Sequence, residues 1–260
     1  MNQPCHALDH ESYCARVAME IGRVAERVGT IDADTPVPTC PQWTARDVAT
    51  HLGMIHRWVD RTVRDQATEP VEFTQFGRDV PAEWAGFGDW LGRMAAPLPD
   101  TLRSADPEGP AWSFTDNQRA NFWPRRMLHE TMVHRIDLDI AAGVQPSGDP
   151  DSAVDGIDEL LYLLPFGHPF RDGPPDLRGT GETVHLHATD AGVHWLIRLG
   201  PHGHTWEHLH ADPPEPAMAT VRGRAVDLHR FQYNRAGAEP GVERTGSPEI
   251  LTDWLTRSAL

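Results

Sequence analysis

The chain of 260 residues is 39% hydrophobic and 23% charged, which fits one large or two modest folded domains and excludes a disordered polymer. Its formal net charge of −15, carried with Arg as the basic residue and no Lys anywhere, argues against nucleic acid and anionic membrane as partners. It also removes Lys as a Schiff-base nucleophile or general base. No run of about 18 apolar residues is present to span a bilayer, and the first residues lack the basic-then-apolar order of a secretory signal. Cys5, Cys14 and Cys40 have no CxxC spacing, which suits a reducing cytoplasm rather than a disulfide framework.

Apolar residues at helical spacing predict a first helix over 8–28, followed by the loop "GTIDADTPVPTCPQ". Thr44, with Asp47 three residues on, reads as a capping box that opens a second helix reaching about Arg64. A third helix is expected over 81–96, starting at Pro81, and then a long irregular connection over 97–121. The segment "WPRRMLHETMVHRIDLDIAAG" predicts a fourth helix from about Pro124 to Gly143, and a further helix is expected over 151–165 before the Gly- and Pro-rich linker "GHPFRDGPPD". Beyond it the pattern changes. "TVHLHATD" and "VHWLIRLG" read as a β-hairpin, "AMATVRGRAVDLHRFQYNRAG" as strand, turn and helix, and "VERTGSPEILTDWLTRSAL" as a short strand with a closing helix. The expected fold is an N-terminal four-helix bundle (residues 1–170) followed by a smaller C-terminal α+β domain (residues 176–260), with no internal repeat.

The fourth helix carries a specific chemical possibility. Residues four apart differ by about 40° around a helix, so Glu130 and His134 project side by side. His129 and His134 are five apart, so "HETMVH" is not the HExxH of zinc proteases. A third group comes from the second helix, where His51 sits among Val48, Leu52, Met54, Ile55 and Trp58. One His from one helix and a Glu/His pair from another would give three N/O ligands and an open fourth position, the arrangement of catalytic zinc. Taken singly, the same residues also suit a solvated Glu/His pair and a core His bonded to a carbonyl. Arg126 and Asp137 flank the pair and fit either helix-surface ion pairs or groups that orient ligands. His185 and His187 share a strand face, where His can serve the watery side of a hairpin or an additional metal site. Cys5, His6 and His10 near the start could also bind metal, though terminal segments are usually mobile. GxGxxG, P-loop and GxSxG signatures are absent.

"WTARDVATHLG" and "HETMVHRIDLDIA" resemble the two signature segments of the mycothiol-dependent maleylpyruvate isomerase family, part of the wider DinB-like group of metal-binding helical bundles. "HLHATDAGVHWLIRLGP", with Thr189 and Asp190, and "TVRGRAVDLHRFQYNRAG" resemble its C-terminal α+β domain. The resemblance implies that His51, Glu130 and His134 bind a divalent metal, usually zinc, and that mycothiol is the thiol cosubstrate. It implies a metal-bound thiolate adding to a small-molecule electrophile, ending either in cis–trans isomerisation or in thiol S-transfer. It also places a substrate-binding Arg on Arg235, although this chain has "LHRFQYNRAG" where the family has a Leu-rich helix ending in Gly-Arg. The alternatives are a non-catalytic DinB-like metal protein of stress response and a hydrolase whose metal activates water.

Overall fold

Asp9 opens the first helix, α1 (His10–Val28), by accepting the backbone amide of Ser12, in a computed structural model that describes residues 8–77, 79–167, 173–235 and 241–259. Val17, Ile21, Val24 and Val28 form its buried stripe. The second helix, α2 (Ala45–Arg64), starts at the expected capping box: Thr44 Oγ1 accepts from the Asp47 amide and Asp47 Oδ2 accepts from the Thr44 amide. That closure satisfies amides that have no partner within a helix. The motif Gly53 has a packing reason, because a Cβ there would stand 2.4 Å from the Trp90 ring.

The third arm differs from expectation. Trp84–Gly86 forms a short 3₁₀ turn, then α3 covers Phe87–Ala95 and α4 covers Pro97–Ser104, inside the stretch expected to be irregular. Pro97 stands at the first turn of α4, where its missing N–H is not needed. Both short helices touch α1 and α2, so together they act as one broken arm. The last arm, α5 (Phe122–Ala141), packs on α1 and α2 and completes the expected four-helix bundle. Between α1 and α5 runs a charged lattice. Buried Arg135 reaches Glu20 at 2.5 Å and Asp139 at 2.6 Å, while Arg27 holds the other Asp139 oxygen at 2.9 Å. Here Glu20 and Asp139 are buried yet compensated, as burial of charge requires.

Leu8–Pro146 forms one compact unit and the chain from Ser147 onward forms a second. The helix α6 (Pro150–Leu163), which a boundary at 170 groups with the bundle, belongs to the second unit. The expected hairpin is present as β1 (Thr183–Ala188) and β2 (Val193–Gly200). The sequence reading missed β3 (Gly203–Leu209). Next come β4 (Ala219–Gly223), α7 (Ala225–Gln232), β5 (Val242–Gly246) and α8 (Pro248–Arg257). The sheet order is β3-β2-β1-β4-β5, with β1 and β4 parallel and the other neighbours antiparallel. Val184, Leu186, Trp195, Ile197 and Val221 are buried, and α7 packs on β1 and β4. Among the described residues no helix is long and apolar enough to cross a membrane.

Candidate metal centre

Side chains from two helices that are far apart in the chain meet inside the bundle. His51 projects from α2, while Glu130 and His134 stand one turn apart on α5. His51 Nε2 lies 2.7 Å from Glu130 Oε1, and His134 Nε2 lies 3.4 Å from the same oxygen. The two imidazole centroids are 4.8 Å apart. Ligand atoms about 2.0–2.2 Å from a tetrahedral zinc are separated from one another by about 3.3–3.5 Å; the 3.4 Å separation matches that edge, whereas the 2.7 Å one is a direct hydrogen bond that would have to open to admit a cation. Each close approach of an imidazole nitrogen to the carboxylate also needs a positive charge between them, a proton or a metal ion. With that opening, the donor set fits a divalent cation.

The surroundings hold these groups in place. Trp43, the first residue of the α2 signature, packs its indole 5.3 Å from the His51 ring and 5.8 Å from His134, nearly parallel to the latter. Arg126 Nη2 donates to Glu130 Oε2 at 3.3 Å. His134 turns its other nitrogen, Nδ1, to Asp137 Oδ2 at 2.9 Å. Asp137 is fully buried and also accepts from Thr39 Oγ1 at 2.6 Å and Cys40 Sγ at 3.3 Å. Both flanking residues thus face the trio rather than forming ion pairs at the helix surface, and Asp137 fixes the ring orientation of His134. Cys40, His134 and Asp137 make a second cluster of possible ligands, but it engages the opposite nitrogen of His134.

The electrostatics agree with a site built for positive charge. Burial opposes ionisation of Glu130, yet hydrogen bonds with His134 and His51 and the charges of His134 and Arg126 hold its carboxyl well below the usual range. Burial likewise opposes protonation of His134, yet its bonds to Asp137, Cys40 and Glu130 raise it well above an ordinary imidazole. With side chains 17%, 16% and 10% exposed, His51, Glu130 and His134 keep a path to solvent.

Sequence reasoning missed several neighbours. Cys40 and Thr39 lie in the loop before α2, where no spacing marks them as partners of Asp137. Trp43 was within reach, since it opens the quoted motif. His56 was also passed over. It is buried and its Nε2 lies 2.9 Å from Thr131 Oγ1. His129 is buried outside the trio, in keeping with its five-residue offset. Arg235 belongs to the second unit. It follows Asn234, whose φ of 57° makes the left-handed turn past α7 that Asn tolerates, and its Nη1 donates to the Tyr233 carbonyl at 2.7 Å.

Comparison with known proteins gives this geometry a context. A family model described as the mycothiol maleylpyruvate isomerase N-terminal domain matches residues 14–139. Among solved structures, the crystal structure of a mycothiol-dependent maleylpyruvate isomerase is similar, with a TM-score of 0.64 and 12% identity over 94% of this chain and 96% of that one. A variant of that isomerase with one histidine changed to alanine is similar at a TM-score of 0.60 and 12% identity, over 94% and 96% of the two chains. No curated protein matches. At such identity the structural likeness carries the fold, a helical bundle followed by an α/β unit. The bundle, over residues 14–139, is thus similar to the mycothiol maleylpyruvate isomerase N-terminal domain family.

Proposed function

We propose that the protein is a mycothiol-dependent metalloenzyme that isomerises a small electrophilic acid of the maleylpyruvate kind about a double bond. The observation that carries this reading is the convergence of His51, Glu130 and His134, set beside the family match of the bundle that holds them. A divalent cation held by these three, zinc first, lowers the pKa of a thiol that meets it and so supplies a thiolate at neutral pH.

The chain's own groups do the rest. Glu130 is kept ionised by Arg126 and the two histidines, and Asp137 holds His134 with Nε2 turned toward Glu130. Trp43 covers the two imidazoles with an apolar ring. In the isomerisation a mycothiol thiolate adds to one carbon of the double bond, the remaining single bond rotates, and the same thiolate leaves, with no net oxidation. Retaining the adduct would instead be S-transfer. The two solved structures compared above are isomerases, which favours the first course. Arg235 is assigned to the carboxylate of the substrate, since a guanidinium offers it a planar fork of donors.

The test replaces the native metal with cobalt, adds mycothiol and follows the visible spectrum, then measures mycothiol-dependent isomerisation of maleylpyruvate. A shifted spectrum and turnover that both vanish in His51→Ala and His134→Ala are expected. A protein that keeps its metal stoichiometry in these variants, or whose cobalt spectrum ignores mycothiol, sinks the reading. For Arg235→Lys the expectation is a raised KM for the acid at unchanged metal content.

A further inference from the structure

The sheet of the second unit gathers imidazoles that the bundle chemistry does not use. His185 and His187 alternate along β1 and so share a face, and His194 on β2 stands directly opposite His187 in the antiparallel register. The rings are nearly parallel. His185 and His194 have centroids 5.2 Å apart with 6° between their planes, and His187 and His194 have centroids 3.9 Å apart with 16° between them. His185 Nε2 comes within 3.0 Å of His194 Nδ1, and Asp212 Oδ1 stands 3.7 Å from that same Nδ1. One donor atom from each of His185, His194 and Asp212 lies within 4.8 Å of the other two.

We propose that His185, His194 and Asp212 form a second metal site, for a borderline divalent transition ion such as zinc, that ties the loop between β3 and β4 to the sheet. The separations of 3.0 and 3.7 Å bracket the edge of about 3.3–3.5 Å expected for imidazole and carboxylate ligands around tetrahedral zinc. Two imidazoles with one carboxylate are also a donor set that first-row ions from iron to zinc accept. The imidazoles are available as neutral donors. Burial, then the neighbouring His194, moves His185 down to about 4, and burial lowers His187 and His194 as well. Arg222, opposite His187 on β4, opposes a cation, and the Asp212 carboxylate offsets it. His185 and His194 are buried, so the sheet fixes both rings, whereas the Asp212 side chain is 74% exposed and free to close on an ion. The shielded Nδ1 of His187 meets no protein partner and leaves a third imidazole beside the set. The competing account is a hydrogen-bonded pair of histidines on a polar sheet face, with Asp212 solvated.

The test is a zinc titration of the full chain after chelator stripping, with bound metal counted by elemental analysis. Two equivalents are expected for the unchanged protein. The double variant His51→Ala with His134→Ala should keep one. Asp212→Ala, at an exposed position that does not endanger folding, should weaken one of the two equivalents by more than the about 10–100-fold that loss of an outer partner costs, and His194→Ala should remove it. Binding by the unchanged protein of only the equivalent that His51→Ala with His134→Ala removes overturns the proposal. So does a second equivalent that Asp212→Ala and His194→Ala leave untouched. The readout is metal count, so this result stands or falls apart from any thiol chemistry at the bundle site.

Discussion

Asp137 never meets solvent, yet it accepts from His134, Thr39 and Cys40 and so joins the loop before α2 to the ring orientation of a proposed ligand. Asp137→Asn keeps the shape and removes the charge that favours a donor at Nδ1. The expected result is metal affinity lower by about 10–100-fold with the fold intact, measured by competition against a chromophoric chelator. His56 gives a second prediction at this scale. Thr131 Oγ1 donates its only proton to the Met127 carbonyl at 2.6 Å, so His56 Nε2 must be the donor in their 2.9 Å contact. That fixes the tautomer and leaves a bare, buried Nδ1. Burial lowers the His56 pKa from 6.5 to about 3. Because the folded value is depressed, the stability that neutral His56 contributes is present above pH 6.5 and is lost as pH falls toward 3. Denaturant midpoints should fall across that window, and less steeply in His56→Gln. A slope unchanged by the substitution would place the acid sensitivity elsewhere.

Among the elements, α2 and α3 approach closely only because residue 53 lacks a Cβ. In Gly53→Ala the methyl would meet the Trp90 ring at 2.4 Å. The expected loss is about 1–3 kcal/mol from overpacking, enough to outweigh the gain in helix propensity. Gly22 is the control, since a Cβ there meets nothing within 4 Å, and Gly22→Ala should stabilise by up to about 1 kcal/mol. Urea midpoints that move in the same direction would refute the packing argument. The elements that were legible in sequence are those with local signals: the Thr44–Asp47 box, the i,i+4 pair on α5, the hairpin around Gly192. Two were hidden for physical reasons. Pro97, just past the helix expected over 81–96, begins a helix of its own, and its lack of an N–H suits a stop as well as a start. β3 is an edge strand of mostly half-exposed residues, so "GHTWEHL" has no apolar alternation to announce it. The trio itself was legible, while its supporting shell was not: Thr39, Cys40 and Asp137 meet through tertiary packing that no sequence spacing encodes.

For the molecule as a whole, the proposed ligands come from two helices nearly eighty residues apart, and His51 and Glu130 are separated by 79 positions. An ion that needs both helices binds the folded bundle and not the extended chain, so it stabilises by mass action. At free zinc about a thousandfold above Kd the gain is about 4 kcal/mol. Calorimetry should show a chelator lowering the thermal midpoint of the unchanged protein and having a smaller effect on the His51→Ala variant, whose midpoint is already low. The net charge of −15 points the same way, since an acidic chain attracts divalent cations and repels polyanions.

Trp43 faces both imidazoles of the trio at under 6 Å. That indole makes the centre its own optical gauge. Cobalt or copper, with partly filled d shells, will quench its emission, while zinc will leave it bright. Subtracting the spectrum of a Trp43→Phe protein isolates that one fluorophore from the other tryptophans, so occupancy can be followed by light alone in a working solution.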